Sequence, residues 1–86
     1  MSFKIVFTKQ AEKDLAKVAA STLKKKALHL LQTVRENPFQ PPYEKLVDQA
    51  ATYSRRINIQ HRLVYRVDVD AQTVVIIRMW THYGDN

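Results

Sequence analysis

The sequence predicts an α+β fold in which a hairpin of two helices packs on one face of a mostly antiparallel sheet, in the order β-α-α-β-β-β. Three observations predict this fold. Large apolar residues occupy every second position at the start of the chain, two apolar stripes with helical spacing follow, and the second half contains three segments rich in Val, Ile, Leu and Tyr. Because 86 residues are too few for two independent cores, we expect a single domain over residues 1–86.

The first half of the chain predicts one strand and two helices. Residues 3–7 form the strand, because their apolar side chains alternate. Thr8 is the predicted N-cap of the first helix and Ser21 that of the second, since a hydroxyl there accepts a free backbone N–H. The second helix is expected to end before Pro38, because the residue preceding a proline is disfavoured in helical conformation. The apolar stripes consist of Ala11, Leu15, Val18 and Ala19 in the first helix and of Leu23, Ala27, Leu30, Leu31 and Val34 in the second.

The second half predicts a loop and three strands. Residues 37–48 hold all three prolines and neither glycine nor serine, which is typical of an ordered, extended loop. Strands are predicted over residues 51–58, 61–67 and 73–80, with a turn at 68–72. The side chains predicted to face the helices from the middle of these strands are those of Leu63, Tyr65 and Val67.

The charge of the chain is strongly positive and unevenly distributed. Fourteen Lys and Arg residues oppose eight Asp and Glu residues, which gives a formal net charge of +6. No acidic residue lies between residues 49 and 67, whereas four arginines do: Arg55, Arg56, Arg62 and Arg66. Arginine grips phosphate through two parallel hydrogen bonds, so this cluster predicts contact with nucleic acid.

Composition also excludes several classes of site. The chain has no cysteine, so it has no disulfide, no thiolate zinc site and no cysteine nucleophile. It shows neither an apolar run of about 20 residues nor a signal-peptide pattern, so we expect a cytoplasmic protein that does not enter a membrane. Asp68 and Asp70 are explained better by a turn than by a metal site, and a chain of this size leaves little room for a large cofactor. We therefore expect neither a metal nor a cofactor.

Arg56 and Arg62 are predicted on adjacent strands, on the sheet face that the helices leave uncovered. Like charges on neighbouring strands repel each other, so this pair is expected to hold a phosphate. Cleavage of RNA without a metal needs a base for the 2′-hydroxyl, cations for the phosphate oxygens and an acid for the leaving oxygen. Glu44 in the loop of prolines is the candidate base and His82 the candidate acid. Tyr83 beside it is suited to orient a group or to stack on a nucleobase.

Several short motifs together resemble one known family. They are Asn37-Pro38-Phe39 ahead of Glu44-Lys45-Leu46, then Ser54-Arg55-Arg56-Ile57, His61-Arg62-Leu63-Val64-Tyr65 and finally His82-Tyr83. In this order and over nearly the whole chain they resemble the YoeB/Txe branch of the RelE-like toxins. The resemblance implies the RelE-like fold and a toxin of a type II toxin–antitoxin pair, which cuts mRNA on the ribosome and is blocked by a YefM/Phd-type antitoxin. It also implies that the catalytic residues are Glu44 as base, Arg56 and Arg62 as phosphate ligands, His82 as acid and Tyr83 as an orienting group.

The remaining basic residues near this set are expected to bind RNA and the partner protein. Arg55, Arg66 and Lys45 are the predicted RNA contacts. A surface rich in arginine favours an acidic, disordered segment that folds over it, and we expect the antitoxin to bind in this way within a heteromeric complex. The sequence also leaves open whether the chain forms a homodimer.

Two other functions fit the charge pattern. The chain is alternatively a basic nucleic-acid-binding module without catalysis, which needs the arginines but neither Glu44 nor His82. A third interpretation is an inactive relative of the toxins that acts as a co-repressor with its antitoxin, in which the helix surfaces matter and the arginines do not.

Overall fold

The computed structural model describes residues 2–80, which form two helices and a five-stranded sheet. In chain order the elements are β1 (Lys4–Phe7), α1 (Lys9–Ala19), α2 (Lys24–Glu36), β2 (Glu44–Lys45), β3 (Thr52–Arg56), β4 (Arg62–Asp68) and β5 (Thr73–Arg78). The strands lie in the order β1-β5-β4-β3-β2. β1 runs parallel to β5, and the other neighbours are antiparallel. The predicted α+β fold, a helical hairpin on one face of a mostly antiparallel sheet, is thereby confirmed.

The two helices begin and end for different local reasons. Thr8 caps α1 as predicted, since its hydroxyl oxygen accepts the N–H of Ala11 at 3.0 Å. α2 ends at Glu36, also as predicted. The prediction for Ser21 was wrong, because α2 begins three residues later and has no side-chain cap. The Ser21 hydroxyl instead accepts the N–H of Leu23 and donates to the carbonyl oxygen of Val18, which closes the turn between the helices.

The segment predicted as an uninterrupted loop contains one additional strand. β2 has only two residues, with Glu44 opposite Ser54 and Lys45 opposite Tyr53. Two residues are too few to show an alternating pattern, which is why the sequence gives no sign of this strand. The strands predicted over 51–58 and 73–80 are shorter than expected at their carboxyl ends, at Arg56 and Arg78.

The core lies between the helices and one face of the sheet. Leu63, Tyr65 and Val67 face it as predicted, with exposed fractions of 0, 0 and 4%. Alternation therefore leaves the other face of β4 for Arg62, Val64 and Arg66. The remaining buried apolar residues are Ala11, Val18, Ala27, Val34, Ile57, Val74, Ile76 and Met79. Within residues 2–80, no helix is long and apolar enough to cross a membrane.

A buried carboxylate fixes α1 to the end of β5. Asp14 is 1% exposed and lies on the apolar stripe of α1, three residues after Ala11 and four before Val18. It accepts the backbone N–H of Met79 at 2.9 Å, the Arg78 Nε–H at 3.3 Å and a side-chain N–H of Gln10 at 2.9 Å. The chain is thus held directly after the last residue of β5.

Burial by itself raises the pKa of Asp14. The hydrogen bonds from the backbone of Met79 and Trp80 and from the side chains of Gln10 and Arg78 outweigh burial, so the pKa of this carboxyl lies below its usual value of 3.8. A group whose pKa is lower in the folded than in the unfolded state stabilises the fold above the unfolded pKa. That contribution is lost as the pH falls through the folded pKa.

We expect Asp14→Asn to lower the free energy of unfolding by about 2–3 kcal/mol at neutral pH, because charge-assisted hydrogen bonds to a buried acceptor are lost. The difference from the wild type should shrink when the pH falls below about 4. Urea denaturation at a series of pH values measures both effects. Glu12→Gln, an exposed change on the same helix, is the matched control and should cost less than about 1 kcal/mol. An equal loss for the two variants would contradict this assignment.

Candidate active site

Two strand registers bring four polar side chains to one sheet face. β3 and β4 place Arg56 directly opposite Arg62, as predicted for adjacent strands. β2 and β3 place Glu44 directly opposite Ser54. Since residues that differ by two positions share a face, Ser54 and Arg56 point the same way. All four therefore lie on the face turned away from the core, which we call the arginine face.

Arg62 is the most constrained of these side chains. It is 8% exposed, and its Nε–H donates to the hydroxyl oxygen of Ser54 at 3.0 Å. Its Nη2 group donates to Oε1 of Glu44, with which it forms an ion pair. The guanidinium thus crosses β3 to reach β2. The Glu44 side chain is 67% exposed, so its carboxylate remains accessible from solvent while it contacts Arg62.

Arg56 is the exposed member of the arginine pair. Within residues 2–80 it forms no ion pair, and it lies opposite a second arginine, an unfavourable arrangement of like charges. Glu44 offsets one of the two positive charges. The remaining charge is suited to a bound anion such as phosphate.

A cleft of about 360 Å³ opens beside these groups. Tyr43, which is 37% exposed, forms part of its wall next to Glu44. The ring of Tyr43 is held edge-on against those of Phe39 and Tyr53, with centroids 6.4 and 5.6 Å away. The residues around the cleft are Leu30, Pro42, Tyr43, Glu44, Ser54, Arg55, Arg56 and Arg62.

Arg55 does not belong to the arginine face, and the expectation that it adds to an exposed arginine surface was wrong. It is 2% exposed and points to the core side of β3, since its neighbours Ser54 and Arg56 point the other way. Its guanidinium donates to the hydroxyl of Tyr65 at 2.9 Å and to carbonyl oxygens of the preceding loop. Alternation along the predicted strand places Arg55 on the opposite face from Arg56. The number of positive charges in the segment does not show this direction.

The other predicted residues lie at different distances from the cleft. Lys45 is exposed but points away from Glu44, as neighbouring residues of a strand do. Arg66 is exposed on the arginine face, four residues and about 13 Å along β4 from Arg62. His82 and Tyr83 lie outside the described residues.

Two residues of this region were not singled out as contributors from the sequence. Ser54 supports Arg62, and its position two residues before Arg56 was the available signal. Trp80, the last described residue, stacks on His61 with ring centroids 4.0 Å apart and planes inclined by 22°. His61 is 3% exposed and directly precedes Arg62, so the end of the described chain lies beside the start of β4.

The family models and the solved structures indicate the same family. Residues 7–83 match the family model of the YoeB-like toxin of bacterial type II toxin–antitoxin systems. Among solved structures, the chain is similar to the YoeB/ParE toxin from Agrobacterium tumefaciens, with a TM-score of 0.83 and 30% identity, over 94% of this chain and 100% of that one. A comparison with curated proteins gives no significant match.

Two further similar structures come from Staphylococcus aureus. One is a YoeB–YefM complex, with a TM-score of 0.77, and the other a YoeB dimer, with a TM-score of 0.81. Both show 32% identity over 96% of this chain and 100% of that chain.

We expect inorganic phosphate to stabilise the protein through Arg56. At a phosphate concentration ten times the dissociation constant, binding to the folded state alone raises the free energy of unfolding by about 1.4 kcal/mol. Arg56→Gln should abolish this gain, whereas Arg35→Gln, which removes an exposed arginine of α2, should retain it. Thermal denaturation with and without phosphate measures the gain. An equal gain in all three proteins would show that phosphate binds elsewhere.

Proposed function

The chain belongs to the family of YoeB-like toxins of bacterial type II toxin–antitoxin systems, and on this basis we propose that it is an endoribonuclease that cuts mRNA on the ribosome without a metal ion. The observation that carries the proposal is the Glu44 carboxylate paired with Arg62, beside Arg56 and open to a cleft. A carboxylate next to two cations is the combination that proton abstraction beside a phosphate requires.

The proposed reaction begins at the 2′-hydroxyl of the RNA. Glu44 takes the proton, the 2′-oxygen attacks the adjacent phosphorus, and the bond from phosphorus to the 5′-oxygen breaks. The products are a 2′,3′-cyclic phosphate and a free 5′-hydroxyl. Arg56 and Arg62 stabilise the negative charge on the phosphate oxygens, which is largest in the transition state.

The contact between Glu44 and Arg62 has a role in this scheme. An incoming phosphate competes for the Arg62 guanidinium, because both are anionic acceptors. When Arg62 turns to the phosphate, the Glu44 carboxylate is released from its ion pair, and both of its oxygens are available to the 2′-hydroxyl. The free protein thus holds the base beside the group that will bind the substrate.

The proposal assigns the leaving-group proton to His82 and an orienting role to Tyr83. Trp80 lies against His61, next to Arg62 in the chain. His82 follows Trp80 by two positions in the sequence. An imidazole ordinarily titrates near neutral pH and is therefore suited to donate a proton to the 5′-oxygen.

Cleavage should depend on each proposed catalytic group. In a cell-free translation system, we expect the wild type to produce new mRNA ends at codons occupied by ribosomes. Glu44→Gln, Arg62→Ala and His82→Gln should each reduce the cleavage rate by about 10²- to 10⁴-fold, the range for losing a general base, an acid or a transition-state donor. Primer extension locates the ends, and Arg35→Gln serves as the control with an unchanged rate.

The same proteins separate the competing functions when RNA binding is measured alongside cleavage. RNA binding by the folded wild type without any cuts would favour a basic nucleic-acid-binding module. Neither binding nor cuts would favour an inactive relative that acts as a co-repressor. Full activity of the Glu44→Gln and His82→Gln variants would exclude the proposed acid–base mechanism.

The proposal includes an antitoxin partner and an RNA surface wider than the cleft. One similar structure is a YoeB–YefM complex and another a YoeB dimer, so we extend to this chain a heteromeric complex with a YefM/Phd-type antitoxin and a homodimer. An acidic segment of the antitoxin is proposed to cover the arginine face. Arg66 and Lys45 are proposed contacts to RNA beyond the cleaved phosphate. Cutting on ribosomes also places the protein in the cytoplasm.

We expect binding of the cognate antitoxin to weaken steeply with salt and to abolish mRNA cleavage. Arg56→Glu should reduce its affinity by tenfold or more, because a like charge then faces the acidic segment. Calorimetric titration at several salt concentrations provides the measurement, and Arg35→Glu is the charge-matched control. A fully active toxin in the presence of saturating antitoxin would refute this arrangement.

A further inference from the structure

We propose that Arg55 is a positioning residue that holds residues 38–44 where the Glu44 carboxylate meets Arg62. The inference rests on the proposed function, in which Glu44 is the general base. Arg55 borders the cleft, but its side chain is 2% exposed and lies on the opposite side of β3 from the arginine face, so we assign it no contact with RNA.

The guanidinium of Arg55 binds the carbonyl oxygens of the first and the last proline in the loop of residues 37–48. Its Nη2 group donates to the carbonyl oxygen of Pro38 at 2.8 Å, and its Nη1 group donates to that of Pro42 at 3.4 Å. Its Nε–H donates to the hydroxyl oxygen of Tyr65 at 2.9 Å. That hydroxyl in turn donates to the carbonyl oxygen of Pro38 at 2.7 Å. One planar cation and one phenol thereby fix the segment that leads into Glu44.

The positive charge of Arg55 is balanced by dipoles and rings. Within the described residues it has no carboxylate partner. Its Cζ atom lies 5.7 Å from the ring centroid of Tyr43 and 5.7 Å from that of Tyr65, at cation–π distance. Burial raises the pKa of the Tyr65 hydroxyl, against the opposing effect of Arg55, so the hydroxyl keeps the proton that it donates to Pro38.

Backbone pairing holds the carboxyl-terminal side of β2, whereas the described residues on its amino-terminal side are held by the Tyr43 ring contacts and by Arg55. This strand pairs with β3 through two residues only, and the next backbone contact is from Leu46 N–H to the carbonyl oxygen of Thr52 at 2.9 Å. The carbonyl oxygen of Pro42 lies two residues before Glu44. Among the described residues, the Arg55 contact with Pro42 is therefore the last hydrogen bond to the backbone before β2 and the proposed base.

β3, the strand that contains Arg55, also contributes two side chains to the arginine face. Arg55 lies between Ser54, which supports Arg62, and Arg56. The same segment is therefore gripped from both faces of the sheet, at its carbonyl oxygens by Arg55 and at its carboxylate by Arg62. Because both arginines belong to paired strands, the position of Glu44 is set by the sheet and not by the loop alone.

Arg55→Lys preserves the positive charge but not the set of three hydrogen bonds. An ammonium has three donors on a single nitrogen, whereas the guanidinium presents five in a planar fork. A single nitrogen does not reach Tyr65, Pro38 and Pro42 in the way that the three nitrogens of Arg55 do. Arg55→Lys consequently loosens the loop without leaving a hole in the core.

The decisive experiment is a double-mutant cycle between Arg55→Lys and Glu44→Gln, with the steady-state kinetics of mRNA cleavage on ribosomes as the assay. We expect Arg55→Lys to lower kcat by roughly tenfold to a hundredfold, the cost of misplacing a catalytic group by about 1 Å, with KM changed less than about threefold. In the Glu44→Gln background the same change should reduce kcat less than about threefold further, because the group that it positions is already absent. Fully multiplicative losses would overturn the proposal, since Arg55 would then act independently of Glu44.

Amide hydrogen exchange tests the grip itself, independently of activity. Exchange at Phe39, Tyr43, Glu44 and Lys45 should quicken in Arg55→Lys and, to a smaller degree, in Tyr65→Phe, which removes only the hydroxyl. Arg35→Lys is the matched control and should leave these amides unchanged. Unchanged exchange in both variants would overturn the proposal, and if Arg55→Lys does not fold, Tyr65→Phe carries both measurements. A wild type without ribonuclease activity would refute the proposed function, whereas the exchange experiment would still decide whether Arg55 holds the loop.

Discussion

The contact of Arg62 with Glu44 across β3 is the interaction on which the cleft depends. Ser54 supports the guanidinium midway through the crossing. This geometry needs two registers at once, β2 against β3 and β3 against β4, because only their combination places carboxylate, hydroxyl and guanidinium on one face. A slip of one residue in either register would move one partner to the other face. Backbone pairing therefore determines the chemistry that this face offers.

Two buried charged side chains bind backbone groups just outside the paired strands, where the hydrogen bonds of the sheet end. Asp14 accepts the N–H of Met79 just after β5, and Arg55 donates to the carbonyl oxygens of Pro38 and Pro42 before β2. In both places a full charge meets peptide dipoles, which gives stronger hydrogen bonds than neutral groups form. A domain with so small a core has little apolar surface available to fix such segments. Charged side chains fix the chain at both places, directly after β5 and before β2.

Much of this architecture could be predicted because its signals are local. Thr8 and the end of α2 follow from capping and from Pro38, and the pairing of Arg56 with Arg62 follows from strand alternation across a short connection. β2 could not be predicted, since its two residues are defined only by a partner strand. The chemistry of Glu44 and the family resemblance predict that this residue is the base. In the structure Glu44 contacts Arg62, and its role as base stays a proposal.

Other features depend on contacts between distant parts of the chain, which periodicity does not reveal. Asp14 interrupts an apolar stripe, yet nothing local shows that Met79 donates to it. Arg55 is one of the four arginines between residues 49 and 67, where the sequence has no acidic residue. Only the positions of Pro38 and Tyr65 show that its charge is directed inward. Charge counts describe a segment, whereas the direction of each side chain requires the sheet.

The parallel pairing of β1 with β5 has a consequence for synthesis of the chain. β5 lies between β1 and β4, so β1 has no sheet neighbour until β5, the last of the five described strands in chain order, has been made. Contacts over such a separation along the chain form late, because a long loop must close before they contribute. A nascent chain that ends before residue 73 has β1 and β4 with nothing between them. The sheet is therefore completed only after β5 has been synthesised, so a shorter nascent chain does not yet present the folded toxin to the ribosome that is making it.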